Sequence, residues 1–99
     1  MQDMLKKAQK MQEDMAVLQG DLENREYTAT SGGGMVSVTV DGKHLIKSIK
    51  INPEAVDTDD IEMLEDFITI AVNEAVNNAI STAEEEMGAI TGGLNIPGF

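Results

Sequence analysis

The sequence predicts an α+β subunit of order α-β-β-β-α. A long N-terminal helix precedes a three-stranded antiparallel meander, and a long C-terminal helix closes the chain. Three observations carry this. Met4, Ala8, Met11, Met15, Leu18 and Leu22 recur at alternating steps of four and three, the spacing of one helix face. Met35 to Val40 alternates, with Val36, Val38 and Val40 on one face and Met35, Ser37 and Thr39 on the other, the period of a half-buried strand. From Ile61 to Ala83 apolar residues form a wide helical stripe, the pattern of a helix that lids a sheet.

The first helix is expected over residues 2–23. Its seam is narrow, and at 3.6 residues per turn Lys6, Lys10 and Glu13 fall on the far side with Lys7 on a flank. About 33 Å of helix is more than a small domain covers easily. Two readings stand: a helix packed on its own sheet, or an arm that pairs with another chain. Gly20 weakens the last turns by roughly 1 kcal/mol relative to Ala.

The meander is expected over residues 25–51. Arg25 to Thr30 forms the first strand, with Tyr27 and Ala29 alternating against Glu26 and Thr28. Gly32, Gly33 and Gly34 can adopt φ > 0 and turn the chain. Met35 to Val40 is the second strand, closed by Asp41-Gly42, a two-residue hairpin signal. Leu45 to Ile51 is the third, and it loses parity: Ile46 falls on one face, Leu45, Ile49 and Ile51 on the other. Either a bulge sits near Lys47-Ser48 or both faces are covered, as a second copy would cover them.

Asn52-Pro53 stops the third strand, and Pro53 can start one helical turn. Asp57, Thr58, Asp59 and Asp60 form a capping cluster, in which Asp59 with Glu62 resembles a capping box. The core helix is expected over 59–88, with Gly88 as its C-cap and residues 89–99 as a flexible tail. Ala71, Ala75 and Ala79 permit close approach to the strands.

Ninety-nine residues make one domain with a thin core. There is no cysteine, which removes disulfides and thiolate metal sites. No apolar run reaches the length of a membrane span, and the first residues lack the apolar core of a secretory signal. A soluble cytoplasmic protein is the expectation, with no membrane and no small-molecule substrate. Net charge is −11, and it is unevenly placed. Residues 1–50 carry all seven Lys and Arg against seven acids, whereas residues 51–99 carry eleven acids and no cation. Any surface for a polyanion must lie in the first half.

Catalysis has little to stand on. His44 is the one histidine, and Ser37, His44 and Asp41 have no spacing that supports a triad. The acids from Asp57 to Glu62 lack the D-x-D-x-D-G layout of a calcium loop and read as helix capping. The three glycines precede a strand, not a helix, so they read as a turn and not a phosphate cradle. No enzyme activity, metal or cofactor is expected. What remains is cationic: Lys6, Lys7 and Lys10 on the first helix, Arg25 at its exit, and Lys43, Lys47 and Lys50 along the third strand. These are the candidate phosphate contacts. No aromatic lies near them for base stacking, and no Arg or Asn sits on a reading helix.

Five blocks, LKKAQKMQEDM (5–15), SGGGMVSVTVDGK (31–43), INPE (51–54), DDIEMLED (59–66) and MGAITGGLNIPGF (87–99), appear in one order along the chain. In these the sequence resembles the YbaB/EbfC family of bacterial nucleoid-associated proteins. The resemblance implies a tight homodimer, double-stranded DNA as partner with little sequence preference, a cytoplasmic, nucleoid location, and a role in nucleoid organisation or gene regulation. It also leaves an alternative: a protein-interaction module acting as a recombination or repair accessory. If both terminal helices form DNA-facing arms, as the family suggests, only the first supplies cations here, because ISTAEEEMGAI carries none.

Overall fold

A computed structural model describes residues 2–91. The elements are α1 (Gln2–Asn24), β1 (Glu26–Ser31), a 3-10 turn (Gly32–Gly34), β2 (Val36–Asp41), β3 (Ile46–Ile51), a second 3-10 turn (Pro53–Ala55) and α2 (Ile61–Thr91). The strands form one antiparallel sheet in the order β1-β2-β3. The order α-β-β-β-α is thus the one the sequence predicts.

The core forms where α2 crosses β1 and β2. Val36, Val38 and Val40 are fully buried on one sheet face, and Ala71, Ala75 and Ala79 of α2 are buried against the sheet. Each valine removed from water contributes roughly 1.5–3 kcal/mol. The alanines recur every fourth residue, and their small side chains let the helix backbone approach the sheet. Met35 departs from its expected place opposite the valines. It precedes β2 with helical φ −61° and ψ −39°, so the strand alternation has not yet begun, and its side chain joins the core.

The 3-10 turn depends on positive φ at its three glycines. At Gly32, φ is +62° and a Cβ would stand 2.8 Å from the Phe67 ring. Ser31 ties the same corner down by donating its hydroxyl to the Phe67 carbonyl. The turn therefore seats the start of α2 on the sheet.

The β2–β3 connection is longer than Asp41-Gly42 alone suggests. Gly42, Lys43 and His44 form the turn; the Asp41 N–H donates to the Leu45 carbonyl at 3.0 Å, and the His44 N–H to the Asp41 carbonyl at 3.0 Å. His44 takes φ +69°, the left-handed position of a three-residue hairpin loop. The physical reason is the Asp41 carboxylate. It accepts from Lys43 N at 2.8 Å and Leu45 N at 3.0 Å, bonds that a two-residue turn would not offer.

The lost parity of β3 resolves as a bulge. Thr39 pairs with Ser48 and Val40 with Ile46, leaving Lys47 as the extra residue. Beyond it Ile49 pairs with Val38 and Ile51 with Val36. Directly opposed residues share a face, so Ile46, Ile49 and Ile51 all line the valine face.

The ends of α2 also differ from expectation. The cap is Asp60, whose Oδ1 accepts from Met63 N at 3.2 Å; Asp59 instead donates its N–H to Asp57 Oδ1 at 2.9 Å. Gly88 is no C-cap, because the helix continues to Thr91. Residues 89–91 of the expected tail are thus helical, and the rest of it lies outside the described residues.

The seam of α1 is divided. Leu22 is buried, and Leu18, Met15 and Met11 are half-buried. α1 packs chiefly against α2, with Met15 beside Met87 and Thr91, which corrects the reading of a helix packed on its own strands. Residues 2–10 are exposed throughout and form an arm.

Candidate nucleic-acid interface

Lys6, Lys7 and Lys10 stand exposed on that arm. Helical spacing places Lys6 and Lys10 one turn apart, pointing away from the seam, with Lys7 beside them. No ion pair engages any of them among the described residues. Their charge is available to an external anion.

Arg25 is differently placed. It lies between α1 and β1, where Nη2 donates to Glu86 Oε1 at 3.0 Å and Nε donates to Asp21 Oδ2 at 3.0 Å. Hydrogen bonds to Glu86 and then Asp21 raise its pKa well beyond the usual guanidinium value. This cation ties the exit of α1 to the last turns of α2, and its charge is matched locally by two carboxylates.

The strand lysines do not join the helical cluster. Lys43 is exposed in the hairpin loop. Lys47 is the bulge residue, with Nζ 3.9 Å from Asp41 Oδ2. Lys50 pairs with Ser37, which puts it on the sheet face opposite the valines. That face is polar: Thr28 and Thr39 share a hydroxyl hydrogen bond of 2.9 Å, and Thr30 and Ser48 stand on it as well. The hairpin loop meets α1 at its C-terminal end, where the Gly42 N–H donates to the Glu23 carbonyl at 3.3 Å. Lys10 is about 18 Å up the helix from Leu22. The cations therefore do not share one patch: Lys6, Lys7 and Lys10 stand on the arm, Arg25, Lys43 and Lys47 lie about the hairpin end of α1, and Lys50 lies farther along β3.

The carboxylates of Asp41, Asp57 and Asp60 have structural employment. The Asp41 carboxylate is held below its usual pKa, chiefly by the Leu45 N–H, then by Lys43 N and the charge of Lys47, against the opposing effect of burial. His44 is exposed, and Ser37 faces away from it on the uncovered sheet face. The Asp57 and Asp60 carboxylates cap backbone amides, and no group of three or more His, Asp or Glu gathers into a metal site among the described residues. Among those residues no helix is long and apolar enough to cross a membrane.

The feature that sequence reasoning left open is apolar. Ile46, Ile49 and Ile51 remain 49%, 42% and 39% exposed, because α2 lies over β1 and β2 and leaves the β3 column bare. The broken parity of the third strand was the available signal, but only the bulge shows that its isoleucines make one row.

Residues 1–94 match the YbaB/EbfC DNA-binding family. The chain is 54% identical over 99 residues to the nucleoid-associated protein of Clostridium acetobutylicum, covering 100% of this chain and 88% of that one. It is 51% identical to a nucleoid-associated protein of Alkaliphilus metalliredigens, covering 100% and 87%, and 51% identical to one of Pelotomaculum thermopropionicum, covering 100% and 94%. The crystal structure of an uncharacterized protein from Helicobacter pylori superposes with a TM-score of 0.71 over 86% of this chain and 89% of that one. At 21% identity that likeness shows the fold alone.

Proposed function

The chain belongs to the YbaB/EbfC DNA-binding family, and on that premise we propose that it works as a homodimer which binds duplex DNA through phosphates, with little sequence preference, as part of the nucleoid. The observation that carries this reading is the exposed cluster of Lys6, Lys7 and Lys10 on an otherwise acidic molecule. Three cations are too few for firm binding, since affinity grows with the number of phosphates neutralised. Two copies double the number.

The β3 edge supports such pairing. A strand at the sheet edge has unpaired backbone groups, and here it also presents Ile46, Ile49 and Ile51 beside a buried valine core. A second copy covers both. The eleven acids of residues 51–99 repel the duplex from the remaining surface and leave the arms as the favoured approach. The lysines contact phosphates and read no base, so they distinguish duplex from solvent and not one sequence from another.

The test is a variant carrying Lys6→Glu, Lys7→Glu and Lys10→Glu. Its mass by light scattering should stay that of the parent dimer while its affinity for duplex DNA falls at least about 100-fold at low salt. Unchanged affinity in an intact dimer overturns the assignment.

A further inference from the structure

We propose that Glu86, acting through Arg25, is a positioning residue for DNA binding: it sets the direction in which α1 carries Lys6, Lys7 and Lys10, so that a carboxylate helps the protein hold a polyanion. The proposal rests on the DNA-binding reading and adds to it a residue that touches no phosphate.

The arm and its base are one helix, since α1 runs unbroken from Gln2 to Asn24. Residues 2–10 are exposed, so their direction is decided where the rest of α1 meets α2. The two helices run antiparallel there. Arg25, just past the end of α1, reaches Glu86, while Met15, farther back, lies beside Met87 and Thr91. The apolar part of this junction is permissive. Met15, Met87 and Gly88 border an open groove of about 570 Å³, and methionine side chains repack readily. Packed helices tolerate a scatter of about 15–20° in crossing angle. Asp21 lies about 22 Å along the helix from Lys6. A tilt of that size swings Lys6 through about 6–8 Å, or two steps along a DNA strand at about 3.4 Å of axis per phosphate.

The polar part of the junction is strict. Arg25 Nη1 and Nη2 donate to the two oxygens of Glu86, and Nε and Nη2 donate to Asp21 Oδ2. A planar guanidinium that grips a carboxylate through two bonds constrains angle as well as distance. Asp21 belongs to α1 and Glu86 to α2, so one rigid fork bridges the helices. Among the described residues no other ion pair joins them. Arg25 and Glu86 are 37% and 35% exposed, so loss of one partner strands no buried charge and leaves the fold intact.

Simple attraction and positioning predict opposite signs. Removing a negative charge strengthens the pull on a duplex. Glu86→Gln in the full chain should instead weaken duplex affinity about tenfold at low salt, as arm lysines lose their phosphates. Glu85→Gln, at an exposed neighbour with no described ion pair, should bind at least as tightly as the parent. Arg25→Glu with Glu86→Arg, which rebuilds the pair at the parent's net charge, should bind more tightly than Glu86→Gln. A second readout needs no DNA. The chain has no native cysteine, so spin labels on Gln9→Cys and Asn77→Cys report the angle of the arm, with unlabelled chains in excess to isolate distances within one chain. Glu86→Gln should widen that distance distribution about twofold as the crossing angle relaxes. Affinity of Glu86→Gln equal to or above the parent's, a swapped pair no tighter than Glu86→Gln, or an unwidened distribution each overturns the proposal. Should any of these accompany lost binding in the arm-lysine variant, the DNA reading stands and the positioning role alone falls.

Discussion

Among the described glycines, Gly42 has the closest backbone neighbours. Its φ is ordinary, but a Cβ there would collide with the Leu22 carbonyl and the Glu23 backbone. Neither is a flexible side chain that can turn aside, so α1 would have to move off the hairpin. We expect Gly42→Ala to lower stability by about 2–3 kcal/mol, read from the denaturant midpoint. Asp41, next to it, makes the hairpin sensitive to acid. Its folded pKa lies below the unfolded value of about 4, so its contribution is complete above that value and is lost as pH falls through the folded one. In denaturation series from pH 6 to pH 2.5, Asp41→Asn should remove part of the acid-side decline seen in the parent. A variant with the parent's full decline contradicts that role for Asp41. At this scale the sequence was legible as chemistry and illegible as length. Asp41-Gly42 correctly marked the turn, but the carboxylate's bonds to Lys43 and Leu45, which lengthen it, involve a carboxylate orientation that residue type does not dictate.

Among the elements, β3 carries the largest consequence. A single extra residue at Lys47 returns Ile46 to the face of Ile49 and Ile51 and turns an irregular strand into a continuous apolar row. Alternation announced the disturbance, but choosing between a bulge and two covered faces required the pairing with β2. Because Ile49 is already 42% exposed in the subunit, Ile49→Asp should leave folding nearly intact. It should also shift the mass measured by light scattering at micromolar concentration from dimer toward monomer. A variant that remains wholly dimeric removes β3 from the interface. The first helix was legible in extent and in seam, since both follow from local periodicity. Its partner was not: the seam could fit any apolar face, and the choice of α2 follows from the antiparallel course of the two helices. Arg25 illustrates the same limit. Its charge was visible in the sequence, whereas the two carboxylates that occupy it come from α1 and from a residue 61 positions away.

Across the whole molecule, charge is divided along the chain, and of the described ion pairs Arg25–Glu86 alone joins the two halves. The acidic half builds α2 over the sheet, and the cations other than Lys50 lie on the exposed arm and about the hairpin. This arrangement reconciles a net charge of −11 with a DNA-binding family, because a duplex meets the local surface within a Debye length of about 8–10 Å and not the sum. Fold class and the identity of the arm lysines were readable because they depend on pattern and composition. The separation of the arm lysines from the hairpin cations was not, because it depends on where the hairpin meets α1. The central claim is that two arms together supply the phosphate contacts. The salt dependence of binding, followed by fluorescence anisotropy on two duplexes of unrelated sequence, tests it most directly. With six arm lysines in a dimer, the slope of log K against log salt should be about −5 and the same for both duplexes. A slope shallower than about −2, or affinities that differ more than about tenfold between the duplexes, would contradict it.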